Sequence, residues 1–117
     1  MLTPEQIKQA VEDFPNLLAR QERLQNRIIN LAGRDSNQEI IYMQQLQSIE
    51  ELIDLIDYAT DSNDILTDRE NWAVYRRVGG ATHEEIAEML VCSRERIRQI
   101  LSNAYVMITN FYNGDAA

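Results

Sequence analysis

Apolar residues recur along most of this chain at steps of three and four, the spacing that places side chains on one face of an α-helix. The sequence contains only four Gly and two Pro among its 117 residues, so few positions interrupt these patterns. The pattern predicts an all-α protein. The clearest apolar series are Leu17, Leu24, Ile28 and Leu31, and then Met43, Leu46, Ile49, Ile53 and Ile56.

Polar and turn-forming residues predict where the N-terminal helices begin and end. Thr3 followed by Pro4 is typical of a helix start, and Pro15 should interrupt that helix because proline lacks an N–H. The next helix should end at Gly33. Ser36 with Glu39 would form a capping box that opens a long helix to about residue 58. The two longer helices would form an antiparallel hairpin.

The second helix of this hairpin has a wider apolar face than a two-helix contact requires. Leu52 and Leu55 lie outside the three-and-four series and add to it. The extra face predicts packing against a further helix, which either the C-terminal domain or another subunit could supply.

Three further capping signals follow in the C-terminal half. Thr67 should open a helix that ends before Gly79, with Trp72, Tyr75 and Val78 on its inner face. Thr82 with Glu85 should open a helix to Leu90, and Ser93 should open a last helix towards Tyr112. The predicted parts are a helical hairpin for oligomerisation or partner contact (1–60), a linker (61–65), a helix-turn-helix domain (66–112) and a tail (113–117).

The two helices on either side of Val91 have the spacing of a helix-turn-helix. Ala87 would face the second helix, Val91 falls in the turn, and Ile97 lies on the inner face of the second helix. This turn usually contains Gly, because its backbone takes positive φ. A β-branched Val there predicts either a slightly different turn or strain of roughly 1 kcal/mol.

Charge and composition limit the functions that this chain can have. The formal net charge is −8, whereas DNA-binding proteins usually carry a basic surface. Residues 1–60 contain five Lys and Arg against ten Asp and Glu, but residues 66–112 contain six of each. A neutral DNA-reading domain should bind weakly alone, so we expect it to need a dimer partner or a protein already on the DNA.

Several classes of site are disfavoured by the sequence. One Cys and one His exclude a disulfide framework and argue against a zinc site. No Gly-rich phosphate loop, paired histidines or nucleophile with a nearby base is present, so we expect neither an enzyme nor a cofactor. No apolar run of 18 residues or signal-peptide pattern occurs, which predicts a cytoplasmic protein without a membrane contact.

The run from Ser93 to Ile100, S-R-E-R-I-R-Q-I, preceded by T-H-E-E-I-A from Thr82, resembles the C-terminal domain of bacterial sigma factors, which reads the −35 promoter element. The resemblance covers roughly residues 66–108. It implies that Arg94, Glu95 and Gln99 contact bases, that Arg98 contacts bases or phosphate, and that Arg96 lies near the DNA backbone or a protein partner. The other residues implied at the DNA interface are Ser93 at the helix start and, as phosphate contacts, Arg77 and Thr82.

The chain is much shorter than a sigma factor and lacks the basic tail that follows this helix there. Its size and layout resemble phage and prophage regulators of the ArpU and RinA families of late-gene activators. The resemblance implies a regulator that binds double-stranded DNA, encoded by a phage or prophage and acting in a bacterial cell. We expect a homodimer through the N-terminal helices, with RNA polymerase as a possible partner.

Two other functions fit the same sequence. The chain could be the small DNA-recognition subunit of a phage packaging terminase, which also joins a helix-turn-helix to oligomerisation helices. It could instead bind RNA polymerase as a sigma-domain mimic without touching DNA, as its acidic balance suggests. The acidic residues of the long helix are by default solvated surface, but could contact a basic partner such as RNA polymerase; they are Glu50, Glu51, Asp54 and Asp57.

Overall fold

The computed structural model describes residues 1–114, and these form six α-helices without a strand, which confirms the all-α prediction. The predicted tail falls mostly outside the described residues, since α6 includes residue 113 and Gly114 caps it. The helices are α1 (Pro4–Glu12), α2 (Phe14–Leu31), α3 (Ser36–Asp61), α4 (Asp68–Val78), α5 (His83–Leu90) and α6 (Arg94–Asn113).

Side-chain caps start most of these helices at the predicted residues. Thr3, Thr67 and Thr82 each form a complete capping box with the residue three positions on. The prediction for α3 was wrong by one residue: Asp35 is the N-cap, and its carboxylate accepts the Gln38 N–H at 3.1 Å. Asp and Ser are both good capping residues, so adjacent candidates cannot be separated by local preference alone.

Helices α2 and α3 pack along each other and form the predicted hairpin. Leu17 and Leu24 of α2 are buried, as are Ile49 and Ile53 of α3. The apolar seam is shorter than predicted, because Met43 is 52% exposed. A two-helix hairpin has no third element at its closed end to cover that side chain.

Helix α1 does not extend the hairpin but packs mainly on α6 and α4. Ile7 and Val11 are completely buried there. The side chain of Asn113 also donates to the Leu2 carbonyl at 2.9 Å and accepts the Leu2 N–H at 3.1 Å. The first helix therefore shares a core with the C-terminal helices, and the predicted boundary after residue 60 remains a sequence-based division.

Helix α3 uses its second apolar face in the same core. Leu55 is buried and Leu52 is half-buried, and α3 contacts α1, α4 and α6. Of the two alternatives for this face, packing on the C-terminal helices is the one observed. The segment after α3 is also held in place, because Asn71 donates to the Ala59 and Ser62 carbonyls at 3.2 and 2.9 Å.

The inner face of α4 differs from the prediction. Ala73 and Val74 are its buried residues, Trp72 and Val78 are half-buried, and Tyr75 is exposed. Arg76 covers the Trp72 ring, with its guanidinium carbon 4.7 Å from the ring centroid. The buried face is rotated from the predicted one because α4 contacts α1, α3, α5 and α6 together.

Candidate nucleic-acid interface

The turn between α5 and α6 is a Schellman motif, in which two backbone hydrogen bonds close the end of α5. The Cys92 N–H donates to the Ala87 carbonyl at 3.0 Å, and the Val91 N–H donates to the Glu88 carbonyl at 3.3 Å. Val91 has φ 53° and ψ 55°, which is the left-handed helical conformation. Of the two alternatives for this turn, the strained one is therefore observed. The Val91 side chain is 89% exposed, so the strained residue adds nothing to the core.

Buried apolar side chains fix the angle between α5 and α6. Ile86 and Ile97 are completely buried, and Ala87 is nearly so. A small residue at position 87 allows close approach of the two helices, as the sequence predicted. Arg69 adds a bond from α4 by donating to the Leu90 carbonyl at 3.2 Å, at the end of α5.

Helix α6 starts at Ser93, whose hydroxyl accepts the Arg96 N–H at 3.0 Å. Ile97, Ile100 and Leu101 of α6 point into the core, so the opposite side of its first two turns faces solvent. The predicted DNA-contacting side chains of α6 are all exposed there: Arg94, Glu95, Arg96, Arg98 and Gln99. The structure therefore brings these five residues together on one accessible end of the helix.

Two arginines of this surface are paired with acids of the same chain. Arg98 donates to both Glu95 carboxylate oxygens, at 2.6 and 3.1 Å. These bonds lower the pKa of Glu95 below its ordinary value and raise the pKa of Arg98. Arg94 reaches Glu84 of α5 at 3.2 Å, and both side chains are about 70% exposed. Such exposed pairs are weak, so a DNA phosphate or base can compete for either arginine.

The other predicted contacts lie beside a shallow groove of about 320 Å³ that separates the starts of α5 and α6. Thr82, Arg77 and Arg94 line it, together with His83 and Glu84. Arg77 is largely committed inside the chain, because it donates to Glu12 at 2.6 Å and to the Ala81 carbonyl at 2.9 Å. Its side chain is only 21% exposed. Arg77 therefore lines the groove in a fixed position and is not free to extend towards a ligand.

His83 lies in this groove in a cationic environment that the sequence alone did not indicate. Partial burial is the largest cause that lowers its pKa, and the charge of Arg77 adds to it. The negative charge of Glu12 acts in the opposite direction. An uncharged His83 at neutral pH lets its ring accept or donate one hydrogen bond at the groove.

Sequence reasoning missed two residues of this surface. Glu84 lies in the first turn of α5 and accepts a hydrogen bond from Arg94, ten positions further along the chain. Ser102 is exposed four residues after Arg98 and therefore continues the same face of α6. A helical projection from Arg94 would have shown Ser102, whereas only the crossing of α5 and α6 reveals Glu84.

These features define a helix-turn-helix with an exposed polar second helix. Residues 64–106 match the family model for Sigma-70, region 4, so this part of the chain is a sigma region 4-like DNA-binding helix-turn-helix. No curated protein and no solved structure matches the chain. Among the described residues, no helix is long and apolar enough to span a membrane.

Proposed function

We propose that this protein is a sequence-specific transcription regulator, non-enzymatic and encoded by a phage or prophage, that acts in the bacterial cytoplasm. It reads the major groove of double-stranded DNA through the first turns of α6. The observation that carries the proposal is the solvent-facing polar side of α6, held on a buried core within a segment that matches Sigma-70, region 4.

We propose a role for each of the candidate residues, and their positions support these roles. Arg94, Glu95 and Gln99 contact base edges, because the N-terminal residues of a second helix reach the groove floor. Arg98 contacts a base or a phosphate once it leaves Glu95. Ser93 and Thr82 lie at helix starts, where free N–H groups favour phosphate.

The remaining two arginines act at the edge of the interface. Arg96 contacts the DNA backbone or a protein partner. Arg77 lines the groove in a fixed position and contacts a phosphate there. Because the 66–112 segment contains equal numbers of acidic and basic side chains, the domain binds weakly alone. RNA polymerase or a second copy on the same DNA supplies the additional binding free energy that stable DNA binding requires.

A homodimer through the N-terminal helices fits the exposed apolar residues of the hairpin. Ile29 is 70% exposed, and Leu18 and Ile41 are also exposed. A second copy would cover these side chains and place two reading helices on adjacent half-sites. Sedimentation of wild type and an Ile29→Asp, Ile41→Asp variant tests this, and a wild-type monomer at all concentrations would contradict it.

Replacement of Arg94 or Gln99 by Ala tests the base-reading role. Loss of a bidentate base contact should weaken binding to a selected site by about 1–3 kcal/mol and relax the preference at one base pair. Arg34→Ala, in the exposed hairpin turn, removes the same charge far along the chain and is the matched control. The measurement is the Kd for the selected site and for random DNA at low salt. Equal losses on both DNAs would refute base reading.

A sigma-domain mimic that binds only RNA polymerase is the second candidate. The pairing of Arg94 and Arg98 with Glu84 and Glu95 favours it, since both arginines already have partners. It predicts that polymerase association survives the combined change of both arginines to Ala and that no DNA shift occurs at low salt. A DNA complex lost in that double variant supports the regulator instead.

A further inference from the structure

One face of α3 carries a continuous row of side chains that no other described helix covers completely. Its positions follow steps of three and four along the helix. We call this row the α3 stripe: Ile40, Met43, Gln47, Glu51, Asp54 and Tyr58. From Ile40 to Tyr58 the rise of an α-helix gives a length of about 27 Å.

Two shallow grooves follow the α3 stripe and meet at its centre. The first, of about 760 Å³, has Ile40 and Met43 at one end and Glu51 and Asp54 at the other. The second, of about 350 Å³, begins at the same Glu51 and Asp54 and extends to Phe111 of α6. Because both grooves share these two acids, they form one continuous surface.

The two ends of this surface are apolar. Ile40 and Met43 are each more than half exposed at the hairpin end. At the other end the rings of Tyr58 and Phe111 stack, with their centroids 5.5 Å apart and their planes 16° apart. Phe111 is nevertheless 51% exposed, so the stack presents aromatic surface to solvent.

The centre of the surface is acidic and lacks a positive partner within the described chain. Glu51 and Asp54 line both grooves and Glu50 lines the first, and none of the three takes part in an ion pair among residues 1–114. The Tyr112 hydroxyl donates to Glu51 at 2.8 Å, which supplies a hydrogen bond but no charge. Desolvation raises the pKa of nearby Asp57, and the charges of Asp61 and Asp54 raise it further.

We propose that the α3 stripe docks one amphipathic α-helix of a different protein, with apolar residues at both ends and Lys or Arg in its central turns. A helix of about 18 residues spans the length of the stripe. Its ends fill the Met43 and Phe111 grooves, while its basic centre pairs with Glu51 and Asp54. Helix-in-groove binding of this kind uses apolar anchors for affinity and charges for register.

A second copy of this chain fits the α3 stripe poorly. In a two-fold dimer the same surface meets itself. Glu50 and Glu51 lie near the middle of the stripe, so a full-length antiparallel pairing brings them close to their own counterparts, and a parallel pairing does so for Asp54 as well. Like charges at the centre of an interface oppose association. The homodimer proposed above uses Ile29 and Ile41 instead, neither of which lines these grooves.

The test uses the full-length protein and two synthetic helical peptides of about 20 residues. Both carry Leu at the two ends of one face, and they differ only in Lys or Glu at the central positions of that face. Fluorescence anisotropy should show the Lys peptide binding about tenfold or more tightly than the Glu peptide at low salt. Amide chemical shifts should move along α3 and around Phe111.

Charge reversal separates docking at this surface from general attraction to an acidic protein. The Glu51→Lys, Asp54→Lys variant should prefer the Glu peptide. The control, Glu22→Lys with Glu88→Lys, makes the same change in net charge at exposed positions outside both grooves and should keep the Lys preference. If circular dichroism shows that the first variant is unfolded, Glu51→Gln with Asp54→Asn should lose the preference instead.

The contrary outcomes are specific. Equal binding of both peptides, or the same loss of preference in the test and control variants, would overturn the proposal. A wild-type dimer that Met43→Asp dissociates would assign the surface to a second copy and overturn it as well. Arg94→Ala should leave peptide binding unchanged, so failure of the DNA-binding proposal is distinguishable from failure of this one.

Discussion

The C-terminal helices and the closed end of the hairpin (residues 25–48) are both helical, but they differ sharply in burial. Seven of the 20 residues of α6 are buried, and Ile86, Ile97 and Ile108 are completely so. Between residues 25 and 48, by contrast, no side chain is buried. Apolar spacing alone did not distinguish these regions, since both show steps of three and four.

The difference follows from the number of neighbours that each helix has. Helix α6 contacts α1, α3, α4 and α5, whereas α2 packs mainly on α3. Helices in proteins gain most of their stability from packing of an apolar face. The closed end therefore contributes little to the shared core.

The largest test of this comparison exchanges core and closed-end isoleucines for alanine. Ile97→Ala should lower the free energy of unfolding by about 2–5 kcal/mol, because it removes packed methylenes and leaves a cavity. In the monomer, Ile29→Ala should change it by less than about 0.5 kcal/mol, since that side chain is mostly exposed there. Urea denaturation followed by circular dichroism measures both values. A loss at Ile29 as large as that at Ile97 would show that the closed end is covered in the free protein.

Sequence patterns predicted best what is decided locally. The caps at Thr3, Thr67, Thr82 and Ser93 are correct because a capping hydroxyl needs only a backbone N–H two or three residues away. The positive φ at Val91 is likewise a property of a short segment. These elements are sufficient to place the helix-turn-helix and the exposed start of α6.

Sequence patterns did not predict the features that depend on residues far apart in the chain. The exposure of Tyr75 depends on which sides of α4 other helices occupy, and the packing of α1 on α6 joins the two ends of the described chain. Glu84 meets Arg94 only because α5 and α6 cross at a particular angle. Periodicity reports that a face is apolar, but not which element will cover it.

A second test compares the strained turns of the two regions. Val91 and Ala32 both have positive φ at a helix end, in the helix-turn-helix and in the hairpin respectively. Val91→Gly should raise the free energy of unfolding by about 0.6 kcal/mol, because relief of roughly 1 kcal/mol of αL strain exceeds the entropy that Gly adds to the unfolded chain. Ala32→Gly should give about half of that or less, because Ala is not β-branched.

Thermal or urea unfolding of the two glycine variants measures the difference. Val91→Asn serves as a check, because Asn tolerates αL backbone without the flexibility of Gly. If Val91→Gly and Val91→Asn were both destabilising, the Val side chain would have to make contacts that its exposure argues against.

The smallest expected effect concerns the surface of the C-terminal helices. Because the core there is complete, a surface change should alter DNA affinity with little change in stability. Glu84→Gln removes the partner of Arg94 and should tighten DNA binding by about 0.5 kcal/mol, roughly twofold in Kd. The loss of a carboxylate from the first turn of α5 should cost no more than about 0.5 kcal/mol of stability.

Glu88→Gln is the matched control for Glu84→Gln, because it removes one exposed acid from the same helix without freeing an arginine. Any gain in affinity that both variants share measures the general effect of net charge on attraction to phosphate. Only the excess in Glu84→Gln reports the release of Arg94, and it should disappear when Arg94 is also replaced by Ala. An excess that persists in that double variant would mean that Glu84 opposes DNA directly and that its pairing with Arg94 does not limit the reading helix.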